Sequence, residues 1–124
     1  MGIINLKKLG GSFKFAFQGI RLAFSEQVFR ICCFFAILVI ILMIVLGLTI
    51  QEKAILILVI IIVLSLELIN SQIEKFLDII QPNYDNRIKI IKDISAGAVL
   101  ISAIGALIIG ISIFLPYFIK IFYR

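Results

Sequence analysis

The sequence predicts an all-α integral membrane protein, with three transmembrane helices and an N-terminal amphipathic helix on the membrane surface. Three observations carry that reading. Of the 124 residues, 63% are hydrophobic, where a soluble domain holds about 45–50%, and the mean hydropathy is +1.24. The apolar residues gather in three runs long enough to cross a bilayer. The charged residues fall between those runs, and most of the basic ones fall on one side. A chain of this length fits one small membrane-embedded domain over 1–124.

The first element covers about residues 1–29. Phe13, Phe17, Ile20 and Phe24 recur at a spacing of three to four, while Lys14, Gln18 and Arg21 lie elsewhere on the helical wheel. That pattern, with basic flanks, suits a helix lying in the membrane interface. A soluble helix packed on its own core is the competing reading, and little chain is left to build such a core. Lys7, Lys8, Lys14 and Arg21 are not followed by a short apolar run with a small-residue cleavage site. No cleavable leader is therefore expected, and the first membrane helix would direct insertion.

The spans follow at 31–50, 54–80 and 94–119. The first and third contain no charge, and the first twenty residues of the second contain only Glu67. At 1.5 Å per residue, twenty residues cover about 30 Å, the hydrocarbon thickness. All three are rich in Ile, Leu and Val, which in water would also suit strands. In lipid an open sheet leaves backbone groups unpaired, so helix is the reading that satisfies them. Gln51–Lys53 reads as a tight turn, and Gln81–Asn86 as a loop in which Pro82 stops the second helix. Gly97, Gly105 and Gly110, with Ala96, Ala98, Ala103 and Ala106, give the third span a small-residue surface. Such a surface allows close helix packing or leaves room for a lipid chain.

Orientation follows from the basic residues. Lys7, Lys8, Lys14, Arg21 and Arg30 precede the first span, and Lys75, Arg87, Lys89 and Lys92 lie between the second and third. Only Lys53, Lys120 and Arg124 fall on the other side. The positive-inside rule then puts the N-terminus in the cytoplasm and the C-terminus outside. Adjacent Cys32 and Cys33 match no zinc spacing and read as small hydrophobes. The chain has no His, which removes His-dependent triads and leaves carboxylates, Lys, Arg, amides or a bound metal for any chemistry.

The second span ends in a polar stripe. Glu67, Asn70, Glu74 and Asp78 fall within roughly an 80° arc of one helix face. A carboxylate at membrane depth costs about 2.5–3.5 kcal/mol on insertion scales. The stripe marking the membrane exit is an adequate account of Asp78 and a poor one of Glu67, which lies among Leu66, Leu68 and Ile69. Every acid except Glu52 lies near one membrane face: Glu26, Glu67, Glu74, Asp78, Asp85 and Asp93. Carboxylates such as Glu26 and Glu74 are suited to Mg²⁺ with phosphate oxygens completing its shell. Lys92, beside Asp93, is suited to a phosphate, and Glu67 to taking a proton from a lipid hydroxyl. No phosphate-binding glycine loop is present. Acids in a membrane equally suit an oligomeric proton or cation pathway, which is the alternative function, and the basic N-terminal helix suits a non-catalytic adaptor on anionic lipid.

The run Glu67-Leu-Ile-Asn70-Ser-Gln-Ile-Glu74-Lys-Phe-Leu-Asp78 resembles the ExxNxxxExxxD signature of the small prokaryotic diacylglycerol kinases, integral membrane lipid kinases that include undecaprenol kinases. Lys92-Asp93-Ile-Ser-Ala-Gly-Ala-Val-Leu is similar to the family's KDxxxxAVL segment. Ser12-Phe-Lys-Phe-Ala-Phe-Gln-Gly19-Ile and Glu26-Gln-Val-Phe29-Arg30 are similar to its SFxxAxxGI and ExxFR elements. The matches cover nearly the whole chain in order.

The resemblance implies an ATP- and Mg²⁺-dependent kinase that phosphorylates diacylglycerol or undecaprenol. It implies a homotrimer in a bacterial cytoplasmic (inner) membrane, with sites between subunits on the cytoplasmic side. The implied partners are ATP, the lipid alcohol, the bilayer and other copies of the chain, with no nucleic acid. Carried over by position, Glu67 is the implied general base, and Asn70 orients the hydroxyl or a phosphate. Glu26 and Glu74 are the implied metal ligands beside the nucleotide. Lys92 meets the transferring phosphate, Asp93 the nucleotide, and Asp78 supports the phosphate end. Asn83, Tyr84 and Asp85 occupy the loop beside the nucleotide. Lys8 stands where the family often has Arg, and Phe15 where some members have Tyr, without its hydroxyl. Ser12, Gly19, Arg21, Phe29, Arg30 and Ala96, with Glu67, fall on the implied lipid side. The Ala-Gly-Ala-Val-Leu run and the Phe114-Leu-Pro-Tyr117 ending look closer to Gram-positive members.

Overall fold

The computed structural model describes residues 2–124, and all regular structure among them is helical. Four helices follow in order: α1 (Leu6–Ala23), α2 (Gln27–Val45), α3 (Ile50–Ile80) and α4 (Asn86–Phe122). The last three are each long and apolar enough to cross a membrane. Their apolar residues point outward as often as inward. Ile37, Ile101 and Leu107 stand more than half exposed, as expected where lipid replaces water as the surrounding medium.

Each helix starts on a polar cap. The Asn5 side chain accepts from the Lys8 backbone N–H at 3.1 Å to open α1. Glu26 stands at the N-cap of α2 without capping it by its side chain. Thr49 and Glu52 form a reciprocal capping box on α3, and Asp85 caps α4 by accepting from the Arg87 N–H at 2.8 Å. Caps of this kind contribute about 1 kcal/mol each.

α3 is the central element. It packs most extensively along α4 and less so against α2, while α1 touches the others only slightly. Met43, Leu48, Leu56 and Phe114 form a small core where α2, α3 and α4 meet near the α2–α3 turn. The α3–α4 pair is pinned at both ends. At one end the Tyr117 hydroxyl donates to Glu52 at 2.5 Å. At the other the Lys92 ammonium meets the Asp78 carboxylate. Pro116 lies inside α4 without ending it.

A sharp elbow of 24–26 joins α1 to α2. Ser25 and Glu26 donate their N–H groups to Leu22 and Ala23 carbonyls. Phe24 meets Phe29 edge-on at 5.3 Å between ring centres. The Arg30 guanidinium donates to the Phe24 carbonyl at 3.0 Å. Arg30 thus works as a clamp on this elbow.

Three expected boundaries move. The turn lies at 46–49, not at Gln51–Lys53, which form the first turn of α3. Gly47, at φ +63°, makes that turn, because the left-handed region costs glycine little. The last helix begins at Asn86, eight residues before the apolar run expected at 94. The first expected segment, 1–29, divides into α1 and the elbow, with α2 already started at Gln27. At about 1.5 Å per residue, α3 and α4 are longer than the hydrocarbon is thick. Their extra turns carry the polar residues described next.

Candidate active site

Glu67 and Asn70 are buried on α3, at 5% and 8% exposure, and Ser71 is buried beside them. Helical spacing puts Glu67, Asn70 and Glu74 on one face. The Asn70 amide donates to Glu74 Oε1 at 3.3 Å. The Ser71 hydroxyl turns back to the Leu68 carbonyl at 2.9 Å. Glu67 lies close enough to Glu74 and Glu26 for their charges to act on it, and no hydrogen-bond donor among the described residues engages it. Asn70 Oδ1 is buried with no partner. Buried acceptors without partners are uncommon and call for an explanation, such as a missing ion, water or ligand.

Glu26 reaches this group from the elbow. Its carboxylate pairs with the Lys75 ammonium of α3. Between α1, the elbow and α3 lies a cavity of about 530 Å³, walled by Gly19, Ala23, Ser25, Glu26, Gln72 and Lys75. Glu26, Glu67, Asn70 and Glu74 are thereby brought into one neighbourhood of a single chain. About one turn further along α3, Asp78 pairs with Lys92 of α4.

The remaining expected residues do not join this group. Asp93 points elsewhere, accepting from Lys89 at 2.5 Å, so neighbouring Lys92 and Asp93 part company. Asp85 receives the Arg87 guanidinium at 3.0 Å as well as its backbone N–H. The Arg87 side chain holds the Asp85 carboxyl low, at about 2. Asn83 and Tyr84 are exposed in the loop. On α1, Lys8, Ser12, Phe15 and Arg21 are exposed, and the Ser12 hydroxyl donates to the Lys8 carbonyl at 3.1 Å. Phe29 is buried in the elbow, and Ala96 is exposed on α4.

Lys75, Lys89 and Arg87 are the partners that the sequence reading did not single out. Lys89 stands four residues before Asp93, a spacing that signals a pair on a helix. Arg87 stands two residues past the acid that caps its helix. Lys75 gives no such signal, because its partner lies on another element.

The oxygen donors of this group suit Mg²⁺. Every candidate donor is oxygen, as that ion prefers, and Asn70 Oδ1 adds an acceptor with no present partner. No three acidic or other ligating side chains converge into a ready-made cage among the described residues. That fits an ion held by one or two carboxylates with phosphate oxygens supplying the rest. Glu26 and Glu74 are the residues that would hold it.

The family model described as prokaryotic diacylglycerol kinase matches residues 14–114. The chain belongs to this family. A diacylglycerol kinase of Synechocystis sp. is 38% identical over 107 residues, covering 85% of this chain and 61% of the relative. The chain thus spans about three-fifths of that protein's length. An undecaprenol kinase of Bacillus subtilis is 38% identical over 112 residues, covering 90% of this chain and 91% of the relative. The family match contains every residue of the Glu26, Glu67, Asn70, Glu74 and Lys75 group, while Lys8 and Ser12 fall outside it.

Proposed function

We propose that this chain is a multi-pass membrane lipid kinase that transfers the γ-phosphate of ATP to the hydroxyl of a membrane lipid alcohol. The observation that carries the reading is the buried Glu67–Asn70 pair, incompletely satisfied and joined to half-buried Glu74, in a chain of the prokaryotic diacylglycerol kinase family. The acceptor is diacylglycerol or undecaprenol, the two chemistries named in its relatives.

The lipid oxygen attacks the γ-phosphorus while the bond to the bridging oxygen breaks and ADP leaves. Glu67 accepts the hydroxyl proton, and its position in an apolar wall keeps competing water away from that proton. Asn70 orients the hydroxyl or a phosphate oxygen. Lys92 balances charge on the phosphates from α4, with Asp78 fixing where its ammonium sits. Mg²⁺, when bound through Glu26 and Glu74, supplies neutralisation of the phosphate charge.

The working unit is a homotrimer. Three spans are too few to screen a polar face from lipid on every side, and Asn70 Oδ1 finds no donor within its own protomer. α1 lies in the interface, with exposed Phe13, Phe17 and Ile20 toward lipid. The excess of basic residues before the first span and between the second and third supports an N-terminus and a site on the cytoplasmic face of a bacterial membrane, where ATP is available.

The test is a radiolabelled-ATP assay on purified protein with Mg²⁺, offering diacylglycerol and undecaprenol separately. Label is expected in at least one lipid and is expected to vanish with chelator. Label in neither lipid defeats the reading.

A further inference from the structure

Glu26 has two claims on its carboxylate. Resting on the kinase reading, it is a metal ligand. In the chain itself it is engaged by Lys75. Lys75 sits on Oε1 of that carboxylate, and an ammonium beside a dication on the neighbouring oxygen repels it, so each cation weakens the other's hold.

We propose that Lys75 is a built-in stand-in for the divalent cation: its ammonium occupies Glu26 until the metal arrives with the nucleotide, and then gives the carboxylate up. Four observations carry this. Glu26, Glu67 and Glu74 lie within electrostatic reach of one another, and Lys75 is the cation paired within that group. Without a counter-charge, three such acids repel one another. The Glu26 side chain makes no cap bond to the helix it begins, so nothing but Lys75 holds it. The pair also stands in the wall of the 530 Å³ cavity, with Lys75 at 53% and Glu26 at 27% side-chain exposure. An ammonium that exposed, on a flexible four-carbon stem, can swing into water or toward phosphate at little cost. Lys75 therefore acts as a positioning residue that keeps Glu26 aimed at α3 in the metal-free state.

The test reads metal binding rather than turnover. Mn²⁺ is titrated into nucleotide-free, full-length protein in lipid nanodiscs and followed by electron paramagnetic resonance. Lys75→Met, which keeps the stem and removes the charge, is expected to bind Mn²⁺ about two- to fivefold more tightly, the scale of a part-exposed ion pair. Lys75→Arg is expected to bind no more tightly than the wild type. On a Glu26→Gln background, Lys75→Met is expected to change nothing, since the coupling runs through Glu26. If Lys75→Met does not yield folded protein, Lys75→Gln carries the same test. Unchanged or weaker Mn²⁺ binding in the charge-free variant overturns the proposal, as does tightening that persists without Glu26, or a wild type that binds no Mn²⁺. Lipid phosphorylation on the same preparations is scored separately. A Mn²⁺ shift without lipid labelling would retire the kinase reading alone, and labelling without the shift would retire the stand-in alone.

Discussion

α3 carries two acids in opposite states, Glu52 in its first turn and Glu67 near its middle. Glu52 is held firmly through its Oε2 and its backbone. It accepts from the Thr49 N–H at 2.9 Å and from the Tyr117 hydroxyl at 2.5 Å, while its own N–H is taken by Thr49 Oγ1 at 3.2 Å. Near the middle of α3, Glu67 is buried without a donor among the described residues, and Asn70 keeps an unpartnered oxygen. A satisfied polar cluster adds rigidity, and a partly satisfied one at membrane depth is costly. The first is the fabric of the fold. The second persists because something else completes it.

The largest consequence concerns the two acids. Glu67→Gln is expected to insert and fold normally yet lose about 10²–10⁴-fold in turnover, the usual contribution of a general base. Glu52→Gln is expected to keep most activity and lose stability. Initial rates of lipid phosphorylation on both variants test this. If Glu67→Gln keeps more than about a tenth of the wild-type rate, the base is misassigned and the two acids are not different in kind.

Next comes Asn70. Asn70→Ala removes a buried acceptor with no partner in the protomer and one long bond from its amide to Glu74, two opposed effects, so thermal unfolding is expected at a nearly unchanged temperature. Turnover is expected to fall about a hundredfold, as when one fixed polar contact to a reacting group is lost. A variant that loses stability and keeps its rate would make Asn70 a structural residue like Thr49.

The same contrast explains what was legible in the chain. The spans were readable because a bilayer leaves helices few alternatives. The stripe was readable because period and burial together put Glu67, Asn70 and Glu74 on one face. Where hydropathy alone set a boundary, the boundary was displaced. Gln51, Glu52 and Lys53 look like a polar interruption, yet Thr49 and Glu52 stand at capping-box spacing and start a helix there. Asn86–Asp93 is polar and still helical, because Asp85 caps it and pairs along the helix support it. What stayed hidden was pairing between elements. Nothing in the order of residues says that Lys75 reaches Glu26 across the elbow, or that Lys92 turns to Asp78 while Asp93 turns to Lys89. Those choices depend on helix rotation and on the angle of the elbow, which side-chain packing sets.

A smaller effect is expected at Tyr117. Tyr117→Phe leaves the ring in its place beside the core and deletes one hydrogen bond to a charged group. A modest loss of stability is expected, with turnover per folded molecule unchanged. Denaturation followed in detergent, paired with a rate measurement, separates the two quantities. A large fall in rate without a fall in stability would mean that the occupied end communicates with the site.

The smallest effect belongs to Asp85, an exposed version of the satisfied kind. Its carboxyl is held at about 2 by the Arg87 side chain and N–H, against an ordinary value of 3.8. The folded value lies below the unfolded one, so the stabilisation is fully present above about pH 4 and is lost as pH falls toward 2. Asp85→Asn keeps a good helix cap, since Asn and Asp serve about equally there, and removes only the charge. The variant should therefore unfold slightly below the wild type at pH 6, and the two should converge as the pH approaches 2. Melting curves at pH 6, 4 and 2.5 decide it. A gap that fails to close in acid would mean that Asp85 acts through its shape and not its charge, and that the start of α4 owes nothing to Arg87.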